Sequence, residues 1–538
     1  MTSLDALRAA TVAAPGNTAR YALVARPGRA ARVAEAVRTE WGPLGIQLAP
    51  LSTLEPEVLV ATLPDRALAP DRPSVFAAAY AAVEEFDLVA AEPDLPTGFF
   101  PQPDAEPGPA RETLDNFPPG CWVPAEPELE DQPRWAPRVM RVPEAWAFSE
   151  QQGRPSRGDG VVIAQPDTGV TKHVELADAI TVPGFDVLDG DPDPTDPLGA
   201  GGNPGHGTGT ASVVVSGEAH VVSGSAPLAR HMPIRAIESV VRVTQVSVAR
   251  AIDWAVANGA QVITMSLGGI PSFSLDRALR RAVAADVIVL AAAGNCVRTV
   301  VWPARYDDCI AVAGSNAANA PWPGSCRGPA VDITAPGQNV FRAKVSPAGD
   351  EVGQGQGTSF AVALTAGVAA LWLAHHGRAN LVGAARQRGE TLQGMFRRLL
   401  RATANRPAGW DPFEFGAGIV DARALLAADL DLGRDLESVP PPSDVRERAA
   451  GSVRSLVAEA AGTDAARDEG PDLHDFGPEL AAAVLEGRLA SADRFRREAV
   501  PAVPVSAPPA VPVSAALAEA AGPELCALLG LEPTGGDR

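Results

Sequence analysis

Between residues 20 and 97 the hydrophobic positions follow two different periods. Short apolar or alternating runs predict strands at 20–27, 58–64 and 87–93. Apolar residues at helical spacing predict helices at 30–41 and 74–86, the second with Ser74 as its cap. This pattern is typical of a small α+β module, and we expect residues 1–19, which precede it, to be disordered.

The longest patterned region, residues 135–430, is typical of an α/β fold. Strand-like runs alternate with helical stretches; the strands are predicted at 161–165, 261–265, 287–292 and 309–313, and the helices at 248–259 and 274–285. This alternation predicts a doubly wound, mostly parallel sheet with helices on both faces. In such sheets functional side chains collect at the carboxyl ends of strands.

Two regions lack this periodicity. Residues 98–134 are rich in Pro, Glu and Asp, which predicts an exposed linker of the kind that proteases cut. Residues 431–538 contain a triple proline and a Pro/Val/Ala tract at 501–516, beside helix-capable segments at 477–498 and 514–530. We expect a partly helical or disordered tail that acts as a semi-rigid spacer and not as a domain.

Charge and hydropathy exclude some partners. The 538 residues carry 45 basic and 65 acidic side chains, a net charge of −20, so we expect no nucleic-acid partner. The longest apolar run, 359–374, is shorter than the about 18 residues of a membrane span. Because the N-terminal stretch lacks the pattern of a signal peptide, we expect a cytoplasmic location.

Ser359 lies in a setting that suits a nucleophile. Glycines at 353, 355 and 357 precede it, and an Ala-rich apolar run follows, which predicts that a buried helix starts at this serine. At a helix N-terminus a hydroxyl is accessible and the helix dipole favours a nearby oxyanion. A plain helix N-cap is the alternative interpretation.

Three predicted strand ends or helix starts supply partners for this serine. Asp167 follows the strand at 161–165, His206 lies in a glycine-rich segment before an apolar helix, and Asn295 ends the strand at 287–292. Each residue alone fits a turn or a core position. Asp-Thr-Gly also occurs in aspartic proteases, but those enzymes need a second such carboxylate, which this chain lacks. Together the four residues fill the roles that a nucleophilic serine requires.

The sequence over 135–430 resembles the subtilisin-like serine proteases (subtilases, peptidase family S8). The resemblance rests on motifs in family order: PDTGV, HVEL, GHGT, ITMSLGG, AAAGN, WPARY, TAPG, GTSFA and GAGIVDA. It implies a subtilisin-like fold in which Asp167 orients His206, His206 acts as general base and Ser359 forms an acyl-enzyme. It also implies that Asn295 and the Ser359 N–H bind the oxyanion.

The same resemblance implies a substrate site. A protein or peptide substrate would bind as an extended strand, in a cleft with walls at 291–294 and a floor near Val301; the residues implied are Ser266, Leu267, Gly268, Gly269, Ala293 and Gly294. These side chains are small or apolar, which predicts an uncharged residue on the acyl side of the cleaved bond (P1).

The module at 20–97 is similar to a subtilase propeptide, and its closing segment VAAEPDLP carries the likeness. As a propeptide it would be an intramolecular partner that helps the protease domain fold and blocks its cleft. An unrelated accessory domain is the alternative.

The chain departs from the family pattern in two helices. Residues 206–212 read HGTGTAS where the family has HGTHVAG, and Ala363-Leu364 replace a Pro-His pair. Neither change removes a catalytic atom, but both affect helix packing.

No cofactor or metal is predicted. The loop at 217–227 offers calcium one acidic ligand, Glu218, and the acidic stretch 186–199 fits a solvated loop better than an ion site. The five cysteines indicate neither a disulfide framework nor a zinc site, although a Cys296–Cys309 bridge is feasible from their spacing.

The predicted function is that of a serine endopeptidase that processes selected protein substrates. The alternatives are a broadly degradative protease and a pseudoprotease that only binds peptides as strands.

Overall fold

A computed structural model of the chain describes residues 2–96, 132–199, 203–240, 243–346, 349–433, 445–461, 473–497 and 510–534. Residues 3–93 form the N-terminal module, whose antiparallel sheet has the strand order β2-β3-β1-β4. Its elements are α1 (Ser3–Ala9), β1 (Thr11–Val24), α2 (Ala30–Trp41), β2 (Gln47–Pro50), β3 (Val58–Leu68), α3 (Arg72–Phe86) and β4 (Ala90–Pro93). The predicted α+β module is therefore present. Most of the predicted linker lies outside the described residues.

Residues 2–19 fold into helix α1 and strand β1, so the expectation of disorder over 1–19 is wrong for the described residues. Helix α1 packs into the module, where Trp41 Nε1 donates a hydrogen bond to Ser3 Oγ at 2.9 Å. Strand β1 begins already at Thr11, and a register shift between Ala13 and Thr18 accommodates the intervening Pro-Gly pair. That pair is a strand break in the sequence pattern, but here it only interrupts the pairing.

The start of α3 also differs from the prediction. The helix begins at Arg72 with Asp71 at its N-cap position, three residues before the predicted cap Ser74. Pro73 is the reason, because proline fits the first turn of a helix, where its missing N–H leaves no hydrogen bond unmade.

The α/β domain is built on a parallel sheet with the strand order β12-β11-β10-β9-β5-β8-β6, in which β7 also pairs with β8. This is the doubly wound architecture that the sequence predicts. Its elements are α4 (Trp135–Val139), α5 (Val142–Gln151), β5 (Val162–Asp167), β6 (Ile180–Thr181), β7 (Phe185–Asp186), α6 (His206–Val215), β8 (Arg230–Arg235), α7 (Gln245–Ala257), β9 (Val262–Met265), α8 (Phe273–Ala284), β10 (Ile288–Ala292), β11 (Ile310–Ser315), β12 (Ile333–Pro336), β13 (Val340–Ser346), β14 (Gly349–Gly355), α9 (Thr358–His376), α10 (Arg378–Arg388), α11 (Leu392–Ala402), α12 (Pro412–Phe415) and α13 (Ala422–Ala427).

Successive residues of the central strands pack into two different cores. Ile288, Leu290 and Ala292 of β10 face the core that contains α9. Val289 and Ala291 of the same strand face the core that contains α7 and α8. This alternation follows from the two-residue period of a strand, and it covers the sheet with helices on both faces.

Helix α9 runs through the middle of one of these cores. Among the described residues it is the one helix with the length and apolar composition of a membrane span, and its 18-residue apolar window is 100% buried. Helix α9 is apolar on all its sides, as expected for a helix that is surrounded by protein.

The N-terminal module packs its sheet against the α/β domain. Tyr21 and Leu23 of β1 face the module's own helices, whereas Ala22 and Val24 join the core of α7 and α8. The module therefore has one sheet face for its own core and one for its neighbour.

The C-terminal residues form packed helices, so the expectation of a simple spacer is wrong for the described part. The elements are α14 (Val445–Ala461), α15 (Gly477–Arg497), β15 (Val511–Val513), α16 (Ala515–Leu529) and β16 (Leu531–Pro533). Val453, Leu456 and Leu480 are buried in the same core as α7 and α8. These helices contact both other units: Arg305 of the α/β domain pairs with Glu459, and Tyr80 of the module donates to Glu479.

Candidate active site

Three adjacent strands, β5, β9 and β10, bring their carboxyl ends to one edge of the sheet. Asp167 is the last residue of β5, Ser266 follows β9, and residues 293–295 follow β10. Helices α6 and α9, which begin at His206 and Thr358, also start at this edge, where they contact these strand ends. Parallel strands thus bring together side chains that lie far apart in sequence.

Asp167 and His206 form a hydrogen-bonded pair. Asp167 is 0% exposed, and its Oδ1 accepts hydrogen bonds from the Thr168 backbone N–H and from His206 Nδ1, each at 2.7 Å. Because Nδ1 donates to the carboxylate, a neutral imidazole carries its free lone pair on Nε2. The His206 side chain is 11% exposed, so it can meet a ligand from outside.

A glycine allows this close approach of helix and strand. A Cβ on Gly207 would lie 2.1 Å from the carbonyl oxygen of Gly169, well inside van der Waals contact. Only a residue without a side chain can occupy the second position of α6, since the helix start lies directly against the end of β5.

Ser359 is the second residue of α9 and is half-buried. Its carbonyl oxygen accepts a hydrogen bond from Ser266 Oγ at 3.0 Å, which ties the helix start to the end of β9. Within the described ranges its hydroxyl makes no hydrogen bond. In ligand-free enzymes the bond between nucleophile and base is often long and tightens only with substrate. The pairing of Ser359 with His206 therefore stays a prediction.

Asn295 lies beside Ser359. Its Oδ1 accepts hydrogen bonds from the backbone N–H and the hydroxyl of Thr358, both at 3.0 Å, which leaves its Nδ2 as a donor. A Cβ built on Gly357 would lie 3.5 Å from this Nδ2 and 3.6 Å from the Ser359 backbone nitrogen. Two nitrogen donors thus border the same small space, the arrangement that an oxyanion requires.

The predicted substrate segment, residues 266–269, lies against Val301. A Cβ on Gly268 would lie 2.6 Å from Val301 Cγ2, and a Cβ on Gly294 would lie 2.8 Å from the same methyl group. Val301 therefore fills the space between these glycines; its role as the floor of a substrate pocket stays a prediction. The side chains of Leu267 and Ala293 are buried in the core, so only their backbones can border the pocket.

The sequence interpretation missed two threonines of this site. Thr358 holds Asn295, and its Oγ1 accepts a hydrogen bond from the Gly294 N–H at 3.2 Å. Thr210 Oγ1 donates to Asp167 Oδ2 at 3.1 Å. The signal for Thr210 was available, because it lies one helical turn after His206 and replaces the valine of the family motif HGTHVAG.

Several carboxylates of the acidic stretch 186–199 accept hydrogen bonds from other groups of the protein. Arg235 Nη1 donates to Asp186 at 2.5 Å and to Asp189 at 2.7 Å. Asp196 Oδ2 accepts from the Thr168 hydroxyl at 2.7 Å and from the Gly205 N–H at 2.9 Å. In the part of the chain that the structure describes, no group of three or more potential ligands could hold a metal ion.

The bridge between Cys296 and Cys309 that the spacing allows is not formed, because Cys309 is a free, buried thiol. It begins the buried strand region before β11, and burial raises the pKa of its thiol far above the ordinary range.

Comparison with known proteins now identifies the family. The sequence model of the Subtilase family (Peptidase_S8) matches residues 158–418. Thermitase from Thermoactinomyces vulgaris is 33% identical over 262 residues, which are 48% of this chain and 87% of thermitase. The chain belongs to the subtilase family. Subtilisin BL from Lederbergia lenta is 33% identical over 234 residues, 42% of this chain and 82% of the relative.

This subtilase is accordingly a subtilisin-like serine protease. Among solved structures, a protease from Pseudoalteromonas arctica PAMC 21717 aligns with a TM-score of 0.46 and 27% identity, over 54% of this chain and 93% of that chain. The family match covers the α/β domain from residue 158 to residue 418, so the N-terminal module and the C-terminal helices lie outside it.

Proposed function

We propose that this subtilase is an endopeptidase that hydrolyses peptide bonds through Asp167, His206 and Ser359. The observation that carries the proposal is the 2.7 Å hydrogen bond from His206 Nδ1 to the buried Asp167, at the sheet edge where Ser359 lies in the first turn of α9. This bond fixes the imidazole tautomer that a general base needs.

In the proposed first step His206 Nε2 takes the proton of the Ser359 hydroxyl while Oγ attacks the carbonyl carbon of the substrate. Asp167 stabilises the imidazolium that forms. His206 then gives this proton to the leaving amine, and the C–N bond breaks to leave an acyl-enzyme. A water molecule, deprotonated by the same imidazole, releases the acid product and restores Ser359.

The Asn295 Nδ2 and the Ser359 N–H are the proposed donors to the oxyanion of each tetrahedral intermediate. The support is their common position beside Gly357 and the two hydrogen bonds that fix the Asn295 amide through its oxygen. Loss of one such donor costs about 10²- to 10³-fold in kcat, a scale taken from subtilisin itself. We expect Asn295→Ala to lose activity on this scale.

The substrate is proposed to bind as an extended strand along residues 266–268. The backbone of Gly269 does not take part in this pairing, because it is already paired with Trp302. Its N–H donates to Trp302 O at 2.7 Å, and its carbonyl oxygen accepts from Trp302 N at 3.3 Å. Backbone pairing gives affinity, while the pocket beside Val301 would accept a small, uncharged P1 side chain. Such a restricted pocket favours processing of selected substrates over broad degradation.

We further propose that the N-terminal module acts as a propeptide, and its contacts with α7 and α8 support this role. Glu92 accepts hydrogen bonds from the N–H groups of Phe273 and Ser274 at 2.8 and 3.1 Å. Asp94 accepts one from the N–H of Val246 at 3.0 Å. Two carboxylates of the module therefore cap the N-termini of two helices of the α/β domain, where they stabilise the helix dipoles.

Charged contacts strengthen the same interface. The buried carboxylate of Glu55 pairs with Arg277 at 2.7 Å and with Arg281, while Ser52 donates to Asp253. A module that supplies the caps and counter-charges of α7 and α8 would help these helices fold, as a propeptide does.

Labelling with a fluorophosphonate, which phosphonylates activated serines, tests the catalytic proposal. Wild-type protein expressed as the complete chain, whether or not it then processes itself, should be labelled, and Ser359→Ala should not. A wild type that stays unlabelled would favour the peptide-binding pseudoprotease instead.

Intact-mass measurement tests the propeptide proposal. Autoprocessing should cleave the wild type within residues 98–134 and leave Ser359→Ala intact. An active enzyme whose chain remains uncut would count against processing.

A further inference from the structure

Three buried polar side chains extend from Asp167 into the protein interior. Thr210, Gln165 and His231 are 0%, 1% and 2% exposed. Thr210 Oγ1 donates to Asp167 Oδ2 at 3.1 Å, Gln165 Nε2 donates to Thr210 Oγ1 at 2.7 Å, and His231 Nε2 lies 2.8 Å from Gln165 Oε1. We call these three residues the polar relay.

The directions of these hydrogen bonds follow from the chemistry of the groups. Gln165 Nε2 also lies 2.9 Å from the carbonyl oxygen of Gly207, which can only accept, so the amide nitrogen must point there. Its oxygen consequently faces His231, and Nε2 of that histidine must donate. Burial lowers the pKa of His231 to about 4, so this imidazole is neutral at pH 7.

The direction of the Thr210 hydroxyl is set in the same way. Its oxygen accepts from Gln165, and its single proton has three acceptors in reach: Asp167 Oδ2 at 3.1 Å, His206 O at 3.1 Å and Gly207 O at 3.2 Å. The carboxylate carries the full negative charge, so the bond to Asp167 is the strongest of the three.

Buried polar groups destabilise a core unless they are hydrogen-bonded, and the members of the polar relay satisfy one another and Asp167. The family motif HGTHVAG carries valine where this chain has Thr210. Without the relay the second carboxylate oxygen, Oδ2, would lose its only hydrogen-bond donor among the described residues, whereas Oδ1 has two.

We propose that Thr210 is a positioning residue that holds Asp167 Oδ2, with Gln165 and His231 fixing the direction of its hydroxyl. The inference rests on the proposed function, because it assigns Asp167 the task of orienting His206. The relay keeps Oδ1 directed at His206 Nδ1, and its hydrogen bond shares the negative charge of the carboxylate, which would otherwise stabilise the imidazolium more strongly.

Among the described residues, three titratable groups act on Asp167, directly or through one neighbour. His206 meets it from α6, and His231 approaches from β8. Asp196 acts through Thr168. The Thr168 hydroxyl donates a hydrogen bond to Asp196, and the Thr168 backbone N–H donates one to Asp167. Because His231 is neutral above about pH 4, the pH dependence above that value reports on the Asp167–His206 pair.

The test is the rate at which the full-length protein reacts with a fluorophosphonate, measured from pH 5 to 9. The variants are Thr210→Val, which keeps the size but removes the hydroxyl, and Thr210→Ser, which keeps the hydroxyl. We expect Thr210→Val to react on the order of tenfold more slowly. The acid limb of its rate–pH profile, where the rate falls with decreasing pH, should move upward by up to about one pH unit. Thr210→Ser should restore both the rate and the limb.

Gln165→Leu is a second variant. It takes the place of Thr210→Val in the test if the Thr210→Val protein does not fold. Without the amide donor nothing fixes the rotation of the Thr210 hydroxyl, so its bond to Asp167 weakens and the acid limb should move in the same direction. The double variant should be no worse than the worse single one, because both changes break one chain of bonds.

The inference fails if the wild type is labelled but the acid limb of Thr210→Val stays in place. If Thr210→Val does not fold, the same outcome for Gln165→Leu refutes the inference. It also fails if Thr210→Ser behaves like Thr210→Val, since that result indicates a packing effect. A wild type that is never labelled refutes the proposed catalytic function itself, which separates the two failures.

Discussion

Glu92 of the N-terminal module accepts a hydrogen bond from the backbone N–H of Phe273, the first residue of α8, at 2.8 Å. The same carboxylate accepts from the hydroxyls of Ser272 and Ser274 at 2.7 and 2.9 Å. Glu92 is 3% exposed, so water cannot replace these bonds. The start of one helix in the protease domain thus depends on a residue of another unit.

Glu92→Ala should therefore destabilise the protein. Loss of a buried helix cap predicts a decrease of about 2 kcal/mol in the free energy of unfolding. Urea unfolding in a Ser359→Ala background, which prevents self-digestion, measures it. Glu84→Ala removes an exposed carboxylate from the same module and should change stability by less than about 0.5 kcal/mol. Equal effects of the two changes would refute the capping role.

The C-terminal helices should contribute to stability through Glu459. Its partner Arg305 has a side chain only 1% exposed, and Glu459 also accepts from the Thr299 hydroxyl at 2.7 Å. Glu459→Gln leaves a buried guanidinium without its counter-charge, which predicts a loss of about 3 kcal/mol.

Glu486→Gln is the matched comparison for that change. It breaks the pair with Arg72, whose side chains are 34% and 49% exposed, and should cost at most about 1 kcal/mol. Thermal or urea unfolding compares the two variants in the Ser359→Ala background. A Glu459→Gln protein as stable as Glu486→Gln would show that the C-terminal helices are not held by this ion pair.

Val301 should determine P1 preference. Its Cγ2 fills the space between Gly268 and Gly294, so the wild type should cleave a peptide library after small, uncharged residues. Val301→Gly opens the pocket and should shift cleavage toward larger apolar residues, because each added methylene then gains burial worth about 0.8 kcal/mol. Strong preference of the wild type for Arg or Lys would overturn this assignment.

His231 should make stability depend on pH. The unfolded chain binds its proton near pH 6.5, whereas the folded protein does so only near pH 4. Falling pH therefore favours unfolding between these values. The contribution is fully present above about pH 6.5 and is lost by about pH 4, roughly 3 kcal/mol in all.

Unfolding free energies from pH 7 to 4.5 test this in Ser359→Ala, with and without His231→Gln. The variant retains an amide donor to Gln165 but no titratable group, so its stability should fall less steeply with acid. Parallel curves for the two proteins would contradict the assigned pKa.

The sequence predicted the α/β architecture because the runs at 161–165 and 287–292 are short, apolar and separated by amphipathic helices. It could not predict that residues 11–24 form one long strand, since the Pro-Gly pair within them looks like a break and only pairing with β3 overcomes it. The C-terminal helices were underestimated for a related reason: their apolar residues, such as Leu456 and Leu480, are buried in a core that they share with α7 and α8 of another unit.

At the site, the sequence singled out residues that fit a known chemical role. Asp167 and His206 were paired from their positions at a strand end and a helix start, and the structure joins them by a hydrogen bond. Gln165 and His231 were not noticed, because they lie on neighbouring strands and a polar residue within a strand pattern does not reveal its partner.

Mapping the residue that a fluorophosphonate modifies tests the central claim most directly. Full-length protein is labelled, digested and analysed by mass spectrometry, with Ser359→Ala treated in parallel. The account predicts a single adduct on the peptide that contains Ser359 and none in the variant. An adduct on a different serine, or an unmodified wild type, would contradict it.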